Sequence, residues 1–178
     1  MKRTRTPNEE AVGAATRKTG LRFLLIGLAV GLVMLLITPD YFALHLTMLA
    51  ALGVAAGLTT ARAVLGIDTR EARSAGGSGG AYAGFGYALP FIAYYLYRFI
   101  TFNDAEFARR LAQLSAKETQ AIQQAGFAIG FEYFRQQDVS FIFFFLIIGT
   151  LVGWLLGMVG GLLSKRSAAT QAGRVSND

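Results

Sequence analysis

From Phe141 to Leu163 the chain runs for 23 residues without one charged side chain (FIFFFLIIGTLVGWLLGMVGGLL). A helix rising about 1.5 Å per residue crosses the hydrocarbon core of a bilayer in ~20 residues, and in lipid a lone segment satisfies its own backbone only as a helix. This segment sets the fold class: an all-α integral membrane protein. Composition extends the point to the rest of the chain, since 53% of its 178 residues are hydrophobic and 16% are charged, too apolar for a surface facing water throughout.

Three further apolar runs follow the same logic. Leu21 to Thr38 carries one charge, Arg22 at its end, and Pro39 with Asp40 stops it and turns the chain back. Tyr41 to Leu58 is richer in alanine and glycine and ends near Thr59, Thr60 and Arg62. Gly66 to Ser78 holds Asp68, Arg70, Glu71 and Arg73 followed by glycines, and reads as a flexible polar loop. A third span runs from Gly80 to Phe102, with a kink expected at Pro90. The expected domains are thus a polar tail (1–20), a four-helix transmembrane domain (21–166, spans 21–38, 41–58, 80–102 and 141–163) and a flexible tail (167–178). With no small-residue cleavage pattern after it, the first run is expected to be retained as a helix.

Between the third and fourth spans, residues 103–140 are too charged to cross lipid and are expected to form an outer amphipathic helical segment. Asn103 and Glu106 resemble a helix-capping pair, Phe107, Leu111 and Leu114 recur at helical spacing, and Gly126 to Gly130 mark a fold-back. Glu118, Glu132 and Asp138 alternate with Arg109, Arg110, Lys117 and Arg135 as on a solvated face.

Charge orients the bundle. Twelve of the seventeen Lys and Arg residues lie in the two tails, at Arg22 or in the short loop; Arg98, Arg109, Arg110, Lys117 and Arg135 lie on the other side. The positive-inside bias makes the first group cytoplasmic, with both termini, and 103–140 extracytoplasmic. The net charge of +6 is therefore a topology signal, and no nucleic-acid partner is expected.

Glycine at four-residue spacing marks every span: Gly27 and Gly31, Gly53 and Gly57, Gly80 and Gly84, and Gly149, Gly153, Gly157 and Gly161. Residues four apart share a helix face, so these positions let another helix approach closely, within the chain or in a partner subunit. Phe107, Leu111, Leu114, Phe127, Phe131 and Phe134 form a candidate outer docking surface.

Candidates for chemistry are few. The chain has no cysteine, which removes thiol catalysis, cysteine-ligated metals and thioether-bound haem. His45, its one histidine, reads as a polar residue near the outer end of the second span, with ligation of haem or a chlorophyll-type pigment as the alternative, and no cofactor besides lipid is expected. No metal-ligand spacing or catalytic constellation emerges, and no ionisable residue lies deep in a span, which argues against ion-coupled transport.

In the order of its parts, closely spaced first spans, the aromatic and glycine-rich GGAYAGFGYAL, an outer amphipathic helix and a last span closing in LLSKR, the chain from Leu21 to Arg166 resembles a bacterial family of four-span membrane proteins known as a domain of unknown function. That resemblance implies a bacterial cytoplasmic membrane and the four-span topology. The expected role is a non-enzymatic accessory or structural subunit of a larger membrane complex, with lipid and other membrane subunits or further copies of itself as partners. The alternatives are a small channel or transporter with Tyr82, Tyr87 and Pro90 along its path, or a pigment- or haem-binding subunit using His45.

Overall fold

The computed structural model describes residues 7–37, 42–64 and 68–175. Among them the chain is all-helical, with six helices: α1 Pro7–Ile37, α2 Phe42–Arg62, α3 Thr69–Thr101, α4 Asp104–Gln113, α5 Ala116–Gln124 and α6 Phe131–Val175. Three stretches are long and apolar enough to cross a membrane, Gly13–Ile37, Ala43–Arg62 and Phe131–Ser164. Within their most apolar windows 22%, 33% and 11% is buried inside the chain, so most of that oily surface needs lipid or another protein to cover it. The turn expected at Pro39 and Asp40 and the loop residue Gly66 lie outside the described residues, as do Lys2, Arg3 and Arg5 of the expected tail.

The helices begin earlier and run longer than the sequence suggests. α1 starts at Pro7, a residue suited to a first helical turn because its missing N–H is not required there, so much of the expected polar tail is helix. α6 likewise continues to Val175, through most of the expected carboxy-terminal tail. The largest difference concerns the glycine-rich loop. Asp68 accepts the Glu71 amide on Oδ1 at 2.7 Å while the Asp68 amide donates to Glu71 at 3.1 Å. This reciprocal cap starts α3 at Thr69, and the helix then passes through the glycine cluster and Pro90 without a break.

Two compact units divide the chain: residues 1–90 with 146–178, and residues 91–145. In the first unit α3 is the shared partner of the other helices. Its stripe Ala72, Gly76, Gly80, Gly84 lies against Gly161, Gly157, Gly153 and Gly149 of α6, in that order, so the two helices run antiparallel. On α1, Gly27 faces Ala83 and Gly31 faces Tyr87, an ascending match that makes α1 and α3 parallel. Gly53 with Gly153 and Gly57 with Gly157 make α2 and α6 parallel in the same way. Chain direction therefore alternates through α1, α2, α3 and α6.

The second unit holds the end of α3, α4, α5 and the start of α6. Asn103 caps α4 by accepting the Glu106 amide at 3.0 Å. A second break, not anticipated from sequence, falls at Leu114 and Ser115: Ser115 and Glu118 form a full capping box and start α5. Hydrogen bonds from Ser115 hold the Glu118 carboxyl below the usual range. The chain then turns at Gly126, whose φ of +83° lies in the left-handed region that side chains avoid.

Candidate functional site

A cluster of charges in the second unit is the most developed polar site among the described residues. Helical spacing assembles it: Tyr94, Arg98 and Phe102 recur every four residues along α3 and across its end, Glu106 lies one turn before Arg109 and Arg110 on α4, and Phe134 lies one turn before Asp138 on α6. Asp138 is at 0% exposure. Arg110 donates to it at two points, Nη1 to Oδ1 at 3.1 Å and Nη2 to Oδ2 at 2.9 Å, and Arg98 Nη2 stands 3.3 Å from Oδ1. A bidentate guanidinium pair is among the strongest arrangements for a buried carboxylate.

Glu106 extends the network. It accepts Arg110 Nε at 2.8 Å and holds Arg109 at 2.7 Å. Hydrogen bonds from Arg109 and then Arg110 pull its carboxyl down to about 2. Aromatic rings enclose the cations: the Arg110 guanidinium is 4.8 Å from the centre of Phe102, and that of Arg98 is 5.3 and 5.2 Å from Tyr94 and Tyr95. Arg98 also has a buried Nε with no hydrogen-bond partner. Beside it opens a cavity of about 530 Å³ lined by Tyr94, Tyr97, Arg98, Thr101, Glu106 and Arg109 among others.

The solvated face expected for the outer charges is thus only part of the arrangement. Arg110 and Asp138 are buried, while Lys117 and Glu132 are exposed. The sequence conceals this because helical spacing does not reveal which turn of α4 meets which turn of α6.

The candidate docking residues divide in the same way. Phe134 is buried against Phe102 and Phe107, and Phe131 packs on the same two rings, the Phe102–Phe131 centres lying 4.5 Å apart. Leu114 is half-buried, and Leu111 and Phe127 are exposed. Four of the six residues that look like a free face are partly or wholly covered, since rings from α4, α6 and the joint after α3 pack on one another.

In the first unit, the ten glycines singled out by spacing all face neighbouring helices, and the nearest atoms to a Cβ built on them are mostly backbone. Gly76, Gly86 and Gly160 do the same and Gly79 faces the Thr60 side chain, four positions the spacing does not single out. The period-four run Ala72, Gly76, Gly80, Gly84, Ala88 was the available signal, masked by the polar residues around its start. His45 is 7% exposed and its Nδ1 lies 2.5 Å from the Tyr87 hydroxyl, a buried polar pair between α2 and α3. Tyr87, offered by the sequence as a path-lining residue, is 2% exposed; Tyr82 lies beside Gly20 and lines a separate cavity of about 330 Å³ with Trp154 and Thr150. Among the described residues no three His, Cys, Asp or Glu side chains come together as a metal-binding group. Comparison of the chain with protein-family models, with curated proteins and with solved structures found no match.

Proposed function

We propose that the chain is a four-span protein of the bacterial cytoplasmic membrane, both termini cytoplasmic and 103–140 outside, acting as a non-enzymatic accessory or structural subunit. The observation that carries the reading is the position of α3. It is the least apolar of the long helices, yet its glycine stripe lies against the most apolar part of α6, and α1 and α2 flank it. A helix surrounded by other helices needs little hydropathy of its own, because its neighbours and not lipid are its solvent. Its membrane portion then begins nearer Ala72 than Gly80, and the alternating helix directions supply the four crossings.

Because the glycine faces are filled by the chain's own helices, the surfaces left for a partner are the broad apolar faces of α1 and α6 and the outer segment. The cysteine-free sequence makes topology directly testable. In intact cells a membrane-impermeant maleimide is expected to label Lys117→Cys, and to label Arg70→Cys only after permeabilisation; the reverse pattern refutes the orientation. Gentle extraction is expected to bring a second membrane protein with the chain, and a monodisperse monomer alone counts against the accessory role.

A further inference from the structure

The cavity beside Arg98 carries a surplus of positive charge. Asp138 has both oxygens engaged by Arg110 and Arg98, and Glu106 has both engaged by Arg109 and Arg110. Three guanidiniums against two carboxylates leave one net positive charge, shared between Arg98 and Arg109, both of which line the cavity. The remaining hydrogen bond of Arg98 is weak, Nη1 to the Tyr94 hydroxyl at 3.5 Å, and its other contacts are the faces of Tyr94 and Tyr95. A guanidinium with five donors and one carboxylate oxygen in reach, 3.3 Å from Nη2, has donors to spare. Glu106 also lines the cavity, but its charge is covered by the two arginines it binds.

From this we infer that the cavity binds a phosphate group, carried by the headgroup of an anionic phospholipid. Arg98 and Arg109 hold the phosphate oxygens, and the Tyr94 and Tyr97 hydroxyls offer further donors. The lipid source rests on the membrane placement proposed above. It is favoured by the character of this end of α3: Tyr97, which lines the cavity, and Ile100 are 66% and 70% exposed, an amphipathic ring and an aliphatic chain suited to the boundary between headgroups and acyl chains.

The test uses the full chain in a neutral detergent, with native mass spectrometry counting bound short-chain phosphatidylglycerol against phosphatidylcholine, and inorganic phosphate as a separate probe. The wild type is expected to retain one phosphatidylglycerol with about tenfold preference. Arg109→Gln, which leaves the Asp138 pairs in place, is expected to remove most of that preference, and Arg98→Gln all of it. Lys117→Gln, the same charge change away from the cavity, is expected to leave it unaltered. Equal retention of the two lipids, or undiminished preference in both arginine variants, overturns the site. Inorganic phosphate displacing the lipid at equal concentration overturns the lipid source. Loss of the lipid in the arginine variants together with inside-only labelling of Lys117→Cys upholds the site and refutes the topology.

Discussion

Asp138 and Arg110, 28 residues apart in sequence, meet as a two-point ion pair with both side chains almost wholly out of solvent, 0% and 6% exposed. Removing one partner of such a pair leaves a buried charge uncompensated, at a cost of about 3–5 kcal/mol. With Glu106 still held on Arg110 Nε, Asp138→Ala is expected to destabilise the 91–145 unit by about 3 kcal/mol, the lower end of that range, in denaturant titrations in detergent. Asp138→Ala with Arg110→Leu is expected to recover a measurable part, since one of the two buried guanidiniums that lose Asp138 is then gone. Equal destabilisation by the single and double variants contradicts this account.

The glycines divide into tight and open positions. A Cβ at Gly157 would fall on the Gly76 carbonyl oxygen and at Gly80 on the Gly153 carbonyl oxygen, so Gly157→Leu and Gly80→Leu are expected to disrupt the helix packing and abolish a sharp size-exclusion peak. At Gly13 and Gly130 nothing lies within 4 Å. Gly13→Ala, in α1, is expected to stabilise its helix by about 0.5–1 kcal/mol, read as added helicity in circular dichroism. Gly126 also has open space, but its φ of +83° makes Gly126→Ala costly by about 1–2 kcal/mol.

His45 and Tyr87 pin α2 to α3 through one buried polar contact. Tyr87→Phe keeps the ring and removes the hydroxyl, and is expected to lower stability by about 1–3 kcal/mol. Thermal unfolding in detergent reads the effect, and an unchanged midpoint removes the contact from the list of what holds the bundle.

Acid should loosen the outer segment in a defined window. The Glu106 carboxyl is lowered from 4.5 to about 2 by hydrogen bonds from Arg109 and Arg110. A group lowered on folding contributes stability that is fully present above its unfolded value, near 4.5, and is lost as pH falls through its folded value, near 2. Amide protection of α4 is expected to fall between pH 4.5 and 2, and Glu106→Gln to reduce that slope while lowering protection at pH 7.

What the sequence determined was local. A charge-free run long enough to cross lipid, a cap at Asn103, a glycine suited to left-handed backbone at position 126 and small residues every fourth position follow from covalent geometry and solvent preference within a few turns of chain. The caps at Asp68 and Ser115 were equally local, each legible as an acidic or hydroxyl residue three positions before a glutamate. Tertiary structure decided the rest. That GGSGG is a packing surface and not a loop depends on Gly153, Gly157 and Gly161 arriving opposite it; that Asp138 is buried depends on Arg98 and Arg110 arriving from two other helices; that Phe134 is core depends on Phe102 and Phe107. Spacing along one helix shows which residues share a face, but what a face meets depends on the register between helices, a relation among distant segments that no single stretch of sequence contains.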